Sequence, residues 1–226
     1  MDSLLDTVRR AIGPDGRPHL ARILDADPDA VEAALNAALP LLIGAAAREA
    51  SVKASVDDAP DLHRAIAEDH RGGLLDHAET LLATIPDRAA RGGLGALAPM
   101  VGSAMQEDVK ARALDGRGIL HHLFGDRLPA LAEGIARMSG LERHQVRGLL
   151  EILAPLLLAA LARALETDRL DAEGLASLLD GERQSIEARH PQLGDGGLID
   201  LLDGEDTPIV EDVPRLGETL RKIFDA

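Results

Sequence analysis

The sequence predicts an all-α protein. Three observations carry that prediction. Apolar residues fill 46% of the 226 positions, yet Trp and Tyr are absent and Phe occurs twice, at Phe124 and Phe224. Leu, Ala, Ile and Val must therefore build the core. Leu and Ala are strong helix formers, and few stretches show the β-branched, period-two pattern of strands. Finally, two long apolar stretches align without a gap and share one helical plan.

The first element is written in "MDSLLDTVRRAIGPDG". It reads as a short amphipathic helix with acidic residues early and arginines late. It lacks the basic start and long apolar centre of a signal peptide.

The aligned stretches come next. "LARILDADPDAVEAALNAALPLLIGAAAR" (20–48) matches "IARMSGLERHQVRGLLEILAPLLLAALAR" (135–163) at a constant offset. Shared residues include Arg22/Arg137, Val31/Val146, Leu35/Leu150, Pro40/Pro155 and Arg48/Arg163. This predicts an internal duplication with repeat cores at about 20–50 and 135–165. In each copy a short helix ends near Leu24 or Met138, and a polar turn follows. Asp27 before Pro28 suits an N-cap with proline at the first helical position; Ser139-Gly140 is the looser counterpart. The long apolar helix that follows is expected to kink or break at its proline. Beyond each proline the residues are apolar almost all round, which predicts burial on every side.

Between the copies, glycines punctuate helices expected near 58–69, 73–84, 93–106, 117–124 and 127–138. "GLGALAPMVGSAM" repeats the Leu-Ala-Pro pattern around Pro99 and reads as a shortened third version. Downstream, "LDAEGLASLLDGERQSIEARHP" predicts two short helices bounded by Gly181 and Pro191. The tail from Asp195 holds nine acidic and three basic residues and ends in an amphipathic helix near 213–224. The expected organisation is one all-helical domain over 1–194 and a peripheral acidic segment over 195–226.

Charge and composition narrow the function classes. A net charge of −15 argues against nucleic acid as a partner, because phosphate binding needs clustered Lys and Arg and base stacking needs aromatics. It also opposes docking on anionic membranes. The most apolar run, Ile152 to Ala162, is eleven residues between Glu151 and Arg163, too short to span a bilayer. No transmembrane segment is expected. Cysteine is absent, so thiolate chemistry is excluded, which fits a cytoplasmic protein.

The histidines are the first residues to weigh for chemistry. "DHRGGLLDH" (69–77) holds two Asp-His pairs, Asp69-His70 and Asp76-His77, and His63 lies upstream. Histidines seven apart on a helix stand about 10 Å apart along its axis, too far for one metal ion. His121-His122 is a second cluster. Adjacent helical residues point roughly 100° apart, and Phe124 suggests that one of the pair faces the core as a buried, hydrogen-bonded histidine. "RGGLLDH" (71–77), "GRGILHH" (116–122) and "DGGLIDL" (195–201) share a glycine-led entry into a helix, anchored by two branched apolar residues. Gly118, His121, His122, Phe124, Asp76 and His77 are the candidate functional residues of this element. No phosphate-loop signature appears, and no serine lies in a nucleophile elbow, Ser103 in "VGSAM" being the nearest. In the tail, Asp203, Glu205, Asp206, Glu211 and Asp212 form a candidate calcium set, since hard cations take alternating carboxylates. Thr207-Pro208 replaces the central turn glycine, and no glutamate stands at the twelfth position.

"GRGILHHLFGD" followed by "ALAEGIARMSGLERHQVRGLLEILAPLLLAALAR" resembles the core of the bacterial YidB-like proteins, domain of unknown function 937. Gly118, Ile119, Leu120, His122, Leu123, Phe124 and Gly125 match that family's Gly-x-Ile-Leu-x-His-Leu-Phe-Gly element. The resemblance runs over roughly 20–205 and implies a helical bacterial protein with no established reaction. It also implies an aspartate-rich calcium-type loop near the C-terminus, from which this tail departs in spacing and at Pro208. The expected role is a non-enzymatic protein-interaction or structural module, acting through an unknown protein partner or self-association. The alternatives are a small-ligand or calcium-binding protein and, third, an enzyme with a histidine-based site.

Overall fold

The computed structural model describes residues 3–54, 62–64, 66, 74–85, 115–191, 202 and 213–224. Those residues form nine α-helices and no strand: α1 (Leu4–Ile12), α2 (Gly16–Leu24), α3 (Pro28–Ala54), α4 (Leu74–Thr84), α5 (Gly116–Phe124), α6 (Leu128–Ser139), α7 (Arg143–Asp168), α8 (Ala172–Arg189) and α9 (Val213–Phe224). A 3-10 turn, Gly125–Arg127, joins α5 to α6. The expected helix at 93–106, the third version around Pro99 and the glycine pair of "DHRGGLLDH" lie outside the described residues.

The long helices α3 and α7 form the centre. Every residue from Ala37 to Ala47 and from Gly148 to Ala162 is buried, so both apolar stretches are enclosed on all sides. The shorter helices sheathe them. α2 lies on α3 and α6 on α7, and each also packs on the other long helix. α8 covers α3, while α1, α4 and α5 cover α7. By length and composition, Pro28–Ser51 and Arg143–Asp168 are apolar enough to cross a membrane; 78% and 89% of their most apolar windows are buried inside the protein.

Local chemistry sets the helix ends. Asp27 caps α3 as expected, its Oδ1 accepting from Asp29 N at 2.9 Å and Ala30 N at 3.2 Å. Asp115 caps α5 through Gly118 N, and Asp171 caps α8 through Gly174 N. In α7 the cap is Glu142, which exchanges bonds with Gln145 in a capping box. Gly140 ends α6 at φ +80°, where a side chain would be strained.

At the prolines, where a kink or a break was expected, no break occurs: α3 and α7 run on through Pro40 and Pro155. Each proline is buried in the core, so packing around it outweighs the lost backbone bond. Gly181 does not divide the segment after Asp171, for α8 is one helix from Ala172 to Arg189. Leu175, Leu179 and Ile186 form one buried stripe through it. Arg183 bridges Asp180 and Glu187 at 2.6 Å each, two favourable helical spacings beside the glycine. The final helix is not peripheral. α9 packs on α6 and α3, and Leu220, Ile223 and Phe224 belong to the same core as the rest.

Candidate functional site

The candidate element "GRGILHHLFG" folds as α5 and its flanking turn. Leu120, Leu123 and Phe124 are buried at helical spacing, and they set which way the helix faces. Gly116 meets α7 at its backbone: a Cβ there would lie 1.9 Å from the Glu151 carbonyl oxygen. Only glycine lets the two helices approach so closely. Gly118 donates its N–H to Asp115 at 3.0 Å, completing the N-terminal cap. Gly125 ends the element at φ +52°.

The histidines fall elsewhere than expected. Both His121 and His122 are exposed; neither is a core histidine. With Leu120, Leu123 and Phe124 turned inward, positions 121 and 122 are carried to the solvent side of a nine-residue helix. His122 Nε2 lies 3.0 Å from Glu49 Oε1 of α3, with the ring half-exposed and the carboxylate largely buried. Beside it, Arg48 donates to the Leu123 carbonyl at 2.6 Å. Two consecutive residues of α3 thus hold the C-terminal turn of α5, where unsatisfied carbonyls and the helix dipole favour a cation.

On the opposite side of α5, Arg117 reaches Glu151 at 3.4 Å. Glu151 is the buried charged residue of α7, and its pairing with Arg117 offsets part of the cost of burial. Nothing in the glycine-histidine pattern pointed to Arg48, Glu49 or Glu151. The usable signal was that Glu49 and Glu151 border apolar runs, where a carboxylate ends up beside the core.

The other candidates are dispersed. Asp76, in the first turn of α4, pairs with Arg163 of α7. His77 follows it on the exposed side of α4. His63 Nε2 is 3.3 Å from the Leu170 carbonyl. His70 and the acidic set Asp203, Glu205, Asp206, Glu211 and Asp212 lie outside the described residues. Among the described residues, no three His, Asp or Glu side chains converge on a position for a metal ion.

What these side chains do is fasten helix ends, and the pattern extends beyond α5. Arg22 donates to the carbonyls of Ile85, Leu82 and Ala83 at 2.7, 3.2 and 3.2 Å, closing the end of α4. Gln145 Nε2 donates to Leu24 and Asp25 carbonyls at the end of α2, while its Oε1 accepts from Glu142 N. Arg221 donates to the Arg137 carbonyl at 2.9 Å at the end of α6. Each short helix named here has its last carbonyls satisfied by a donor from a different helix.

Residues 6–164 match the family model described as "Bacterial protein of unknown function (DUF937)". The chain belongs to that family. The match runs from within α1 through α6 and over most of α7, so the whole of the "GRGILHHLFG" element lies within it. No curated protein and no solved structure matches. In this chain the element serves as a packing unit: glycine at a helix crossing, a buried Leu-Leu-Phe face, and a histidine tied to α3.

Proposed function

We propose that this bacterial protein is a non-enzymatic interaction or structural module that works by self-association. The observation behind the reading is the use of the candidate polar residues. His122 with Glu49, Asp76 with Arg163, and Glu151 with Arg117 each join two helices. A body whose polar side chains lock helix to helix is a rigid scaffold, suited to presenting surfaces. The high content of Leu and Ala and the close glycine contacts favour helix-to-helix association of the same kind between chains.

The test is multi-angle light scattering on the full chain over a wide concentration range. Self-association gives a molar mass that rises with concentration above the 23.9 kDa of one chain. A mass fixed at that value throughout overturns the proposal.

A further inference from the structure

α9 is attached to the rest of the described protein in an unusual way. Its buried face carries Leu220, Ile223 and Phe224. It meets α6 through paired glycines: a Cβ at Gly217 would lie 2.8 Å from Arg137 Cβ, and a Cβ at Gly134 would lie 2.8 Å from Leu216 Cγ. Arg221 donates to the Arg137 carbonyl at 2.9 Å. From the end of α8, His190 Nδ1 lies 3.0 Å from the Ile223 carbonyl, and its ring sits edge-on to Phe224 at 4.9 Å and 63°. These partners stand on α6 and at the end of α8, and α9 also packs on α3, so the contacts named here come from outside the segment that leads to α9. Residues 203–212 are that chain: ten residues, five of them acidic and none basic. Extended, ten residues reach about 33–36 Å.

Charge sets α9 apart as well. Arg215, Arg221 and Lys222 against Glu218 give it a net charge of +2, in a chain of net charge −15. An isolated helix of twelve residues is marginal in water, so α9 depends on a docking site for its stability. The rest of a second copy offers the same site and a strongly acidic body.

We infer that α9 is an exchangeable helix, which docks on α6 of a second copy and so forms a reciprocal dimer. The exchange reproduces every contact above between chains, with the two-fold symmetry of a swapped terminal element, and brings a cationic helix onto an acidic partner. The inference rests on the self-association reading and names its surface.

The natural chain has no cysteine, which permits a direct test. Gly134→Cys and Leu216→Cys are made in separate chains, co-expressed, and oxidised. The Leu216 Cγ position, 2.8 Å from a Cβ at 134, suits a sulfur in disulfide geometry. Exchange predicts a covalent dimer of the two different chains, well above the level either variant gives alone. A dimer by light scattering without that cross-link overturns the exchange and leaves self-association standing. A monomer at every concentration overturns both. Should the cysteine variants fail to fold, deletion of residues 205–210 serves instead. A shorter tether hinders the return of α9 to its own chain and favours exchange, so the dimer fraction rises; an unchanged fraction overturns the exchange.

Discussion

The Arg48 guanidinium donates to the Leu123 carbonyl at 2.6 Å, joining the far end of α3 to the last turn of α5. Arg163, which aligns with Arg48 in the sequence, pairs instead with Asp76, and both of those side chains are about half-exposed. The two arginines therefore carry different weights. Arg48→Met should destabilise the protein by about 1.5–3 kcal/mol, the range for a partly buried hydrogen bond to a charged donor. Arg163→Met should cost no more than about 1 kcal/mol, as exposed ion pairs do. Urea unfolding of the two variants checks this, and equal costs would count against the fastening role of Arg48.

Two glycines should respond to alanine with opposite signs. At Gly116 the new methyl would meet the Glu151 carbonyl oxygen at 1.9 Å, and backbone cannot move aside as a side chain can. Gly116→Ala should cost at least about 3 kcal/mol, at the upper end for overpacking. Gly181 lies inside α8 with nothing within 4 Å of its Cβ position. Gly181→Ala should stabilise by about 0.5–1 kcal/mol through helix propensity. Thermal melts of both variants give the signs directly.

The pH dependence should show Glu133. Its carboxyl is held below the ordinary glutamate range, chiefly by the hydrogen bond from Arg143. Partial burial opposes this, while the charge of Arg143 and then the bond and charge of Arg137 add to it. A carboxylate whose folded pKa is depressed contributes stability above its unfolded value of about 4.3 and loses it as pH falls through the folded value. Glu133→Gln should thus lower the urea midpoint at neutral pH, and the difference should close as the solution is acidified below about 4. A difference that persists unchanged in acid would show that Glu133 acts by packing alone.

Much of the fold was legible because its signals are local. Glycine, proline and polar breaks placed the end of α2 at Leu24 and located α4, α5, α6 and α9 to within a residue or two. The Asp27 cap and the full burial after Pro40 and Pro155 followed from chemistry within one turn. Two of the failures share a cause. The setting of His122 and the docking of α9 are decided by partners far away in the sequence. His122 meets Glu49 of α3, and Phe224 meets His190 at the end of α8. No periodicity announces such pairs. The candidate element was found by its glycines and histidines, but its role depends on Arg48, Glu49 and Glu151, which lie outside that element.

A ligand-gating element and a packing element differ in how readily they open. Mobile functional segments exchange their amides through local opening at low free energy, while core helices exchange near the global limit. If α5 is locked by Gly116 against α7 and by Arg48 and Glu49 of α3, it should not open alone. Native-state hydrogen exchange on the full chain measures this most directly. The amides of Leu120 to Phe124 should be protected to the same free energy as those in the centre of α7, and should lose that protection selectively in Arg48→Met. Opening of α5 at a small fraction of the global free energy in the unaltered protein would contradict the account.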